Sequence, residues 1–312
     1  MVGVNGMWKI LSGVVLGWSL GANDSANIFG TGVTTGTVKY RTAILLTAAF
    51  VLLGSLIEGP KCIKTLGEIS RLQPLDAFSC ALATAITMGF LTFLALPAST
   101  SQAIVGAIVG AGILSGTAEF SKLYKIVLCW IFTPVGGIIL AFILHKLLGS
   151  LLDKTITSIK HRNVIYTIGI LVAGSYGAYS LGGNNVANVT GVYVGAGILS
   201  ANMASLIGGL SIASGALTYS KKVMMTVGKG IAPLDPFSGV IAVIAEALTL
   251  HIFTQIGVPV SSSQAIVGAV VGVGLVGDVR TVSHKMLARI AVGWLLTPIS
   301  AGALTYLLLL LL

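Results

Sequence analysis

The sequence has little charge. Of its 312 residues only 9% are Asp, Glu, Lys or Arg, against about 25% in an average soluble domain. Hydrophobic residues make up 55% of the chain and the mean hydropathy is +0.99. This composition excludes an ordinary soluble enzyme, a disordered protein and a nucleic-acid-binding module, which needs a basic patch. We expect an all-α polytopic membrane protein with about 10–12 membrane segments, at roughly 20 residues per crossing.

Cysteine and histidine are also scarce. Cys62, Cys80 and Cys129 are isolated and odd in number, so they indicate neither a disulfide framework nor a zinc site. The first apolar stretch runs into a polar motif, so no cleavable signal peptide is predicted. The formal net charge is +9. Because basic residues collect in the cytoplasmic loops of membrane proteins, we interpret this excess as a sign of orientation.

The chain repeats itself. Residues 101–107 (Ser-Gln-Ala-Ile-Val-Gly-Ala) recur letter for letter at 263–269, and the polar segment at 20–27 is matched at 181–188. Pro-Leu-Asp and Thr-Pro pairs recur in the same order. These matches indicate an internal duplication.

The duplication predicts two transmembrane repeats joined by a short linker. Their predicted bounds are residues 1–148 and 163–312, with a cytoplasmic linker at 149–162. Equivalent loops differ in charge, because Lys39 and Arg41 have no basic counterpart near residues 200–202, and the loop at 278–289 is more basic than its partner. Such asymmetry is typical of inverted-topology repeats. We expect a multi-pass plasma-membrane protein with both termini outside.

The first polar motif lies inside an otherwise apolar segment in each half. It consists of Asn23, Asp24 and Asn27, matched by Asn184, Asn185 and Asn188. Polar groups at membrane depth are expensive and persist where they face a cavity, an ion or one another. Gly21 and Gly182-Gly183 precede the motifs and are expected to let each helix unwind, which would free carbonyl oxygens for a hard cation such as Na⁺. The alternative is that the side chains only bond to neighbouring helices.

The second motif reads Pro-x-Ser-Thr/Ser-Ser-Gln, at residues 97–102 and 259–264. Proline ends the preceding helix, and the Ser-x-x-Gln spacing matches a capping box that starts the next one. Each half should therefore contain a helical hairpin with a polar tip. Its free N–H groups, hydroxyls and helix dipole would suit an anion. The candidate anion-binding residues are Ser99, Thr100, Ser101, Gln102, Ser261, Ser262, Ser263 and Gln264. The alternative is that they are helix caps only.

Two further carboxylates, Glu58 and Glu246, lie in apolar surroundings without repeat counterparts. Each is a candidate ligand of a coupling ion or a proton site.

Together, Gly-Ala-Asn-Asp-x-Ala-Asn at 21–27, its echo in the second half and the paired Ser/Gln motifs resemble the PiT family of inorganic phosphate transporters over nearly the whole chain. The resemblance implies a secondary transporter and not an enzyme. It implies import of inorganic phosphate by symport with Na⁺, which we favour, or H⁺. It also implies alternating access, broken helices, membrane lipid around the chain, a homodimer and no cofactor beyond the coupling ion.

The resemblance also assigns the two motifs to a shared site. The phosphate-binding residues would be those of the Ser/Gln motifs with Asn23, Asp24 and Asn184. The Na⁺ or coupling-ion residues would be Asn23, Asp24, Asn27, Asn184, Asn185 and Asn188, to which we add Glu58.

One departure from the family affects the substrate. The second half has Asn184-Asn185 where the family usually has Asn-Asp, and one carboxylate fewer would repel sulfate less. Since the family includes sulfate permeases, sulfate transport is the first alternative. An intramembrane enzyme acting on phosphorylated lipid is the second, although Ser99 and Ser261 have no neighbouring histidine to act as a base.

Overall fold

A computed structural model describes residues 8–69, 71–93, 98–230, 234–276 and 284–312, without the side chains of 92–93, 226–230 and 284–290. Pro97 and the loop residues 278–283, used above, lie outside the described residues. Every regular element of the described ranges is a helix, as predicted. The α-helices are α1 Leu11–Thr34, α2 Tyr40–Gly67, α3 Pro74–Phe93, α4 Thr100–Ser115, α5 Phe120–Thr155, α6 Ile159–Gly195, α7 Ala201–Gly230, α8 Pro236–Ile256, α9 Ser262–Gly274 and α10 His284–Leu311.

Most of the helices are long enough to cross a bilayer. Seven helices of the described residues combine sufficient length with sufficient hydropathy, and the two short helices α4 and α9 are apolar. Large apolar side chains lie on their outer surfaces, as with Leu295 and Ile299 of α10, which are 69% and 67% exposed. This pattern is expected of a multi-pass membrane protein, whose outer surface faces lipid tails.

Helices of the two halves interleave. Helix α1 packs along α7, and their repeat equivalents α6 and α2 pack along each other. The same exchange relates the pair α4 and α10 to the pair α9 and α5. Each half thus completes its packing with helices of the other, and the predicted bounds of the repeats, 1–148 and 163–312, stay a prediction. The inverted orientation of the repeats stays a prediction.

The helices that carry the first polar motif do not unwind. Both α1 and α6 run without a break through the motif, so the expected opening at Gly21 and at Gly182-Gly183 is wrong. A Cβ on Gly21 would lie 1.8 Å from the carbonyl oxygen of Ile212, and one on Gly182 would lie 2.0 Å from that of Val51. The glycines are needed because α1 and α7, and α6 and α2, touch backbone to backbone there.

The predicted linker is largely helical. Helix α5 continues to Thr155 and α6 begins at Ile159, which leaves residues 156–158 as the only non-helical connection. An ion pair of 2.9 Å joins Arg162 Nη2 to Asp153 Oδ1 across this bend. The polar linker is therefore a tight corner between two long helices.

Candidate functional site

Two hairpin tips form the centre of the site. We call residues 98–102 the first tip and residues 258–264 the second tip. Helix α8 ends at Gly257, whose positive φ of 77° suits a residue without a side chain. The next helix begins where Ser261 Oγ accepts a hydrogen bond of 3.3 Å from Gln264 N. Ser99 Oγ accepts the same bond, also 3.3 Å, from Gln102 N. The structure therefore confirms the predicted serine caps.

The two tips bond to each other. Ser101 Oγ donates to the carbonyl of Val260 at 2.7 Å, and Ser263 Oγ donates to the carbonyl of Ala98 at 3.2 Å. The two bonds are equivalent under the sequence repeat. They bring the N-termini of α4 and α9 together, so that two sets of backbone N–H groups and two positive dipole ends meet in one region.

Helix α1 contributes polar groups to the second tip. Ser262 Oγ donates to Asp24 Oδ2 at 2.9 Å, and Asn27 Nδ2 donates to Ser262 Oγ at 3.4 Å. Asp24 and Asn27 are partly buried. A carboxylate thus lies directly beside the hydroxyls of the predicted anion site.

Helix α6 reaches both tips. At the first tip, Asn188 Nδ2 donates to Ser101 Oγ at 2.8 Å and to Asn185 Oδ1 at 3.3 Å. At the second tip, Asn184 Oδ1 accepts a bond of 2.8 Å from the backbone N–H of Val260. All three amides are at most 1% exposed, so they fix the tips from inside the protein.

Several buried oxygen atoms near the tips have no partner. Among the described residues, Gln102 Oε1, Gln264 Oε1 and Asn188 Oδ1 are buried and accept no hydrogen bond. Buried polar atoms are nearly always paired. Unpaired acceptors beside the hydroxyls of the tips therefore suit a ligand that supplies positive charge or a hydrogen-bond donor.

A sequence profile described as the phosphate transporter family matches residues 20–305. The chain belongs to the phosphate transporter family. This membership makes it a multi-pass membrane transporter and not an enzyme, as the sequence motifs predicted.

Two relatives and one solved structure define this similarity further. A protein of Methanocaldococcus jannaschii, named as a predicted phosphate permease, is 31% identical over 90% of this chain and 89% of its own. The sulfate permease CysP of Bacillus subtilis is 30% identical over 96% of this chain and 86% of its own. The solved structure of a sodium-dependent phosphate transporter superposes with a TM-score of 0.83, at 23% identity, over 98% of this chain and 99% of that one. The last similarity establishes the fold.

Within this family fold, the residues predicted for the site fall into a group at each tip and a third group around Glu58, and Asn184 belongs to the second tip through its bond with Val260 N. Asp24, Asn27 and the second tip meet, and so do Asn185, Asn188 and the first tip. Asn23, which is partly buried, and Thr100, which is buried, adjoin these groups along the chain.

Glu58 forms the third group, which lies beside the second tip: a Cβ on Gly183 would lie 2.8 Å from Glu58 Cβ, and one on Gly257 would lie 3.3 Å from the carbonyl oxygen of Lys61. Its carboxylate pairs with Lys61 Nζ and accepts bonds of 3.2 Å from Gln255 Nε2 and from the hydroxyl of Tyr179. This network joins α2, α6 and α8 on a partly exposed face. To bind a cation, the Glu58 carboxylate would first have to break its ion pair with the ammonium group of Lys61.

Two backbone carbonyls of the tips and one threonine hydroxyl were not predicted from the sequence. The carbonyls of Ala98 and Val260 accept the bonds that join the tips, and Thr254 Oγ1 accepts one of 3.0 Å from Asn184 Nδ2. No residue type identifies a backbone carbonyl as a ligand. Thr254 lies in the last turn of α8, where a lone hydroxyl carries little signal.

Proposed function

We propose that this protein imports inorganic phosphate by symport with a cation, with Na⁺ favoured over H⁺, through alternating access. The observation that carries the proposal is the pair of helix N-termini joined through Ser101 and Ser263. Between them they offer backbone N–H groups, hydroxyls and two glutamine side chains to a tetrahedral oxyanion. Family membership supports phosphate as the substrate.

Asp24 favours phosphate over sulfate at this position. Monohydrogen phosphate retains an O–H that can donate to a carboxylate, whereas sulfate has none and would be repelled. The carboxylate lies at 2.9 Å from Ser262 Oγ, next to the hydroxyls assigned to the anion. A phosphate hydroxyl directed at Asp24 would turn this repulsion into a charge-assisted hydrogen bond.

The asparagines support cation coupling. Asn23, Asp24, Asn27, Asn184, Asn185 and Asn188 supply neutral oxygens and one carboxylate close to the tips, a ligand set that suits Na⁺ better than a proton. Glu58, which is paired with Lys61, remains a predicted ligand of the coupling ion. A Na⁺ bound here would offset the charge of the incoming anion, so that the two ions bind together.

The arrangement of the halves supports alternating access. Each half contains three long helices, α1, α2 and α5 or α6, α7 and α10, and a hairpin whose tip turns back inside the protein. Three crossings and a re-entrant hairpin would place equivalent loops on opposite sides of the membrane. We therefore infer inverted repeats, with both termini outside and residues 149–162 in the cytoplasm. Such repeats let one bundle move against the other around a central site.

A homodimer in the plasma membrane is proposed on the family resemblance.

Sulfate is the second candidate substrate. The similarity to the sulfate permease CysP covers 96% of this chain, and Asn185 stands where a second acidic residue would repel sulfate. Phosphate and sulfate would both bind at the two tips. They differ because only phosphate can donate a hydrogen bond to Asp24.

Uptake into proteoliposomes tests the proposal. Radiolabelled phosphate should accumulate when a Na⁺ gradient is imposed, and unlabelled phosphate should compete better than sulfate. Gln102→Ala and Gln264→Ala should each raise the KM for phosphate, because each removes a polar group from a tip. Uptake of neither anion would refute the function. Sulfate uptake that phosphate does not inhibit would establish the second candidate.

Accessibility tests the orientation. A single cysteine introduced at position 40 and one at position 201 should be labelled from opposite sides of the membrane. Labelling of both from the same face would contradict the inverted repeats.

A further inference from the structure

Glu246 is a buried carboxylate that none of the contacts above explains. It lies in the middle of α8 and is 0% exposed. Among the described residues, neither Oε1 nor Oε2 has a hydrogen-bond partner. An ionised carboxylate is costly to bury unless a charge or donors compensate for it. Its presence in a membrane-spanning helix therefore indicates a ligand.

Contacts between the neighbouring helices place Glu246 opposite Asp24. A Cβ on Gly177 of α6 would lie 3.3 Å from Ile28 of α1 and 3.5 Å from Val243 of α8. One helical turn is about 3.6 residues, so one turn back along α1 from Ile28 leads to Asp24. One turn forward along α8 from Val243 leads to Glu246. The two carboxylates are close enough to interact electrostatically.

A second contact fixes the relative direction of α1 and α8. A Cβ on Gly239, one turn before Val243 in α8, would lie 2.8 Å from Thr31 Cγ2 of α1. Position 31 thus faces 239 and position 28 lies near 243, so the helices run antiparallel. Continuing this register brings Asp24 to the level of Glu246.

No positive side chain of the described residues pairs with Glu246. The titratable groups on helices packed against α8 lie more than one turn away from Glu246 along α8, apart from Asp24. Glu58 and Lys61 of α2 bond to Gln255, and His145 of α5 bonds to Ser238. Tyr176 and Tyr179 of α6 lie against His251, one turn before Gln255. Helix α9 carries no titratable side chain. Glu246, which is buried, and Asp24, which is partly buried, are therefore two carboxyl groups without a basic partner among the described residues.

We propose that Glu246 is a further ligand of the coupling cation, which it holds together with Asp24 between α8 and α1. This assignment rests on the proposed cation symport. Two carboxylates with Asn27 nearby make an oxygen-rich site for a small hard monovalent cation such as Na⁺. Asp24 also accepts the bond from Ser262 of the second tip, so the cation would neutralise the carboxylate that borders the anion site. Loss of the cation would leave negative charge beside the phosphate, which couples the two ions.

The test is the Na⁺ dependence of Glu246→Gln, which preserves shape and removes the charge. Two readouts are compared in full-length protein: the rise in melting temperature when NaCl replaces choline chloride in detergent, and the Na⁺ activation of phosphate uptake in proteoliposomes. We expect the Na⁺ concentration for half effect to rise at least about tenfold in both, since even outer-shell partners of bound metal ions commonly change affinity by that factor. The KM for phosphate at saturating Na⁺ should change less.

The matched control is Glu68→Gln. Glu68 is an exposed glutamate at the end of α2 whose partner is Lys122, at 3.5 Å, and its removal should leave both Na⁺ readouts unchanged. Glu246→Asp keeps the charge on a shorter side chain and should retain part of the Na⁺ response. If Glu246→Gln does not fold, a raised Na⁺ requirement in Glu246→Asp supports the site, and an unchanged one overturns it.

The outcomes separate this inference from the proposed function. Wild-type protein that transports no phosphate, or whose transport ignores Na⁺, refutes the symport itself. Na⁺-dependent wild-type transport together with an unchanged Na⁺ requirement in Glu246→Gln overturns only the role of Glu246. A variant that alters the pH profile of uptake and keeps its Na⁺ response also overturns the cation site, because Glu246 would then carry a proton.

Discussion

Asn184 connects helix α6 to the second tip through one amide. Its Oδ1 accepts the backbone N–H of Val260 at 2.8 Å. The two hydrogens of its Nδ2 have three acceptors within range: the carbonyl of Val258 at 3.1 Å, Thr254 Oγ1 at 3.0 Å and the carbonyl of Leu250 at 3.4 Å. The side chain is 0% exposed, so water cannot replace these bonds. Asn184→Ala should therefore both destabilise the protein and displace the tip.

The structure sets the size of the effect. Substitution leaves at least two buried backbone groups, Val260 N–H and Val258 C=O, without their side-chain partner, and each such group costs about 1–3 kcal/mol. The free energy of unfolding should thus fall by about 2–6 kcal/mol. In chains of 150–250 residues each kcal/mol lowers the melting temperature by about 2–4 °C, so the variant should melt several degrees lower. Because the freed backbone lies directly before the N-cap of α9, the KM for phosphate should rise as well.

Thermal unfolding in detergent and phosphate uptake in proteoliposomes measure the two effects separately. Asn163→Ala is the matched control, since Asn163 is an exposed residue in the first turns of the same helix. It should match wild type in both assays. If Asn184→Ala had the melting temperature and the KM of the wild type, Asn184 would not position the second tip and the reasoning would be refuted.

Three other sets of substitutions test the packing and the polar contacts. Gly21→Ala should reduce folded yield and melting temperature, because its Cβ would lie 1.8 Å from a carbonyl oxygen of α7, whereas Gly89→Ala enters open space in α3; equal yields in size-exclusion chromatography would contradict this. Ser101→Ala and Asn188→Ala should each raise the KM for phosphate, and the double variant should fall short of the sum because both remove the same 2.8 Å bond; additive effects would show that the bond is unimportant. Glu58→Gln should cost about 1 kcal/mol or less in a thermal melt, since its lysine partner is 42% exposed, and a raised Na⁺ requirement for uptake would support its predicted role as an ion ligand.

Local sequence patterns predicted the local structure of the site well. The spacing of Ser99 to Gln102 and of Ser261 to Gln264 gave the caps that start α4 and α9, because a cap depends on residues only three positions apart. The glycines were harder to interpret. Gly21 signals either an unwound helix or a close contact, and only the position of α7 distinguishes the two.

The sequence alone determined that this chain lies in a membrane, that it is a duplication and that each half carries a hairpin with a hydroxyl-rich tip. Composition, repetition and short spacings carry that information, since each depends on residue type or on near neighbours. Only the tertiary structure decided which polar groups meet. Serines of one tip bond to carbonyls of the other, and the contacts of Gly177 and Gly239 set the register that brings Glu246 of α8 to the level of Asp24 of α1. Such contacts depend on how each helix is rotated about its axis and on backbone atoms. Neither can be predicted from the order of residue types along the chain.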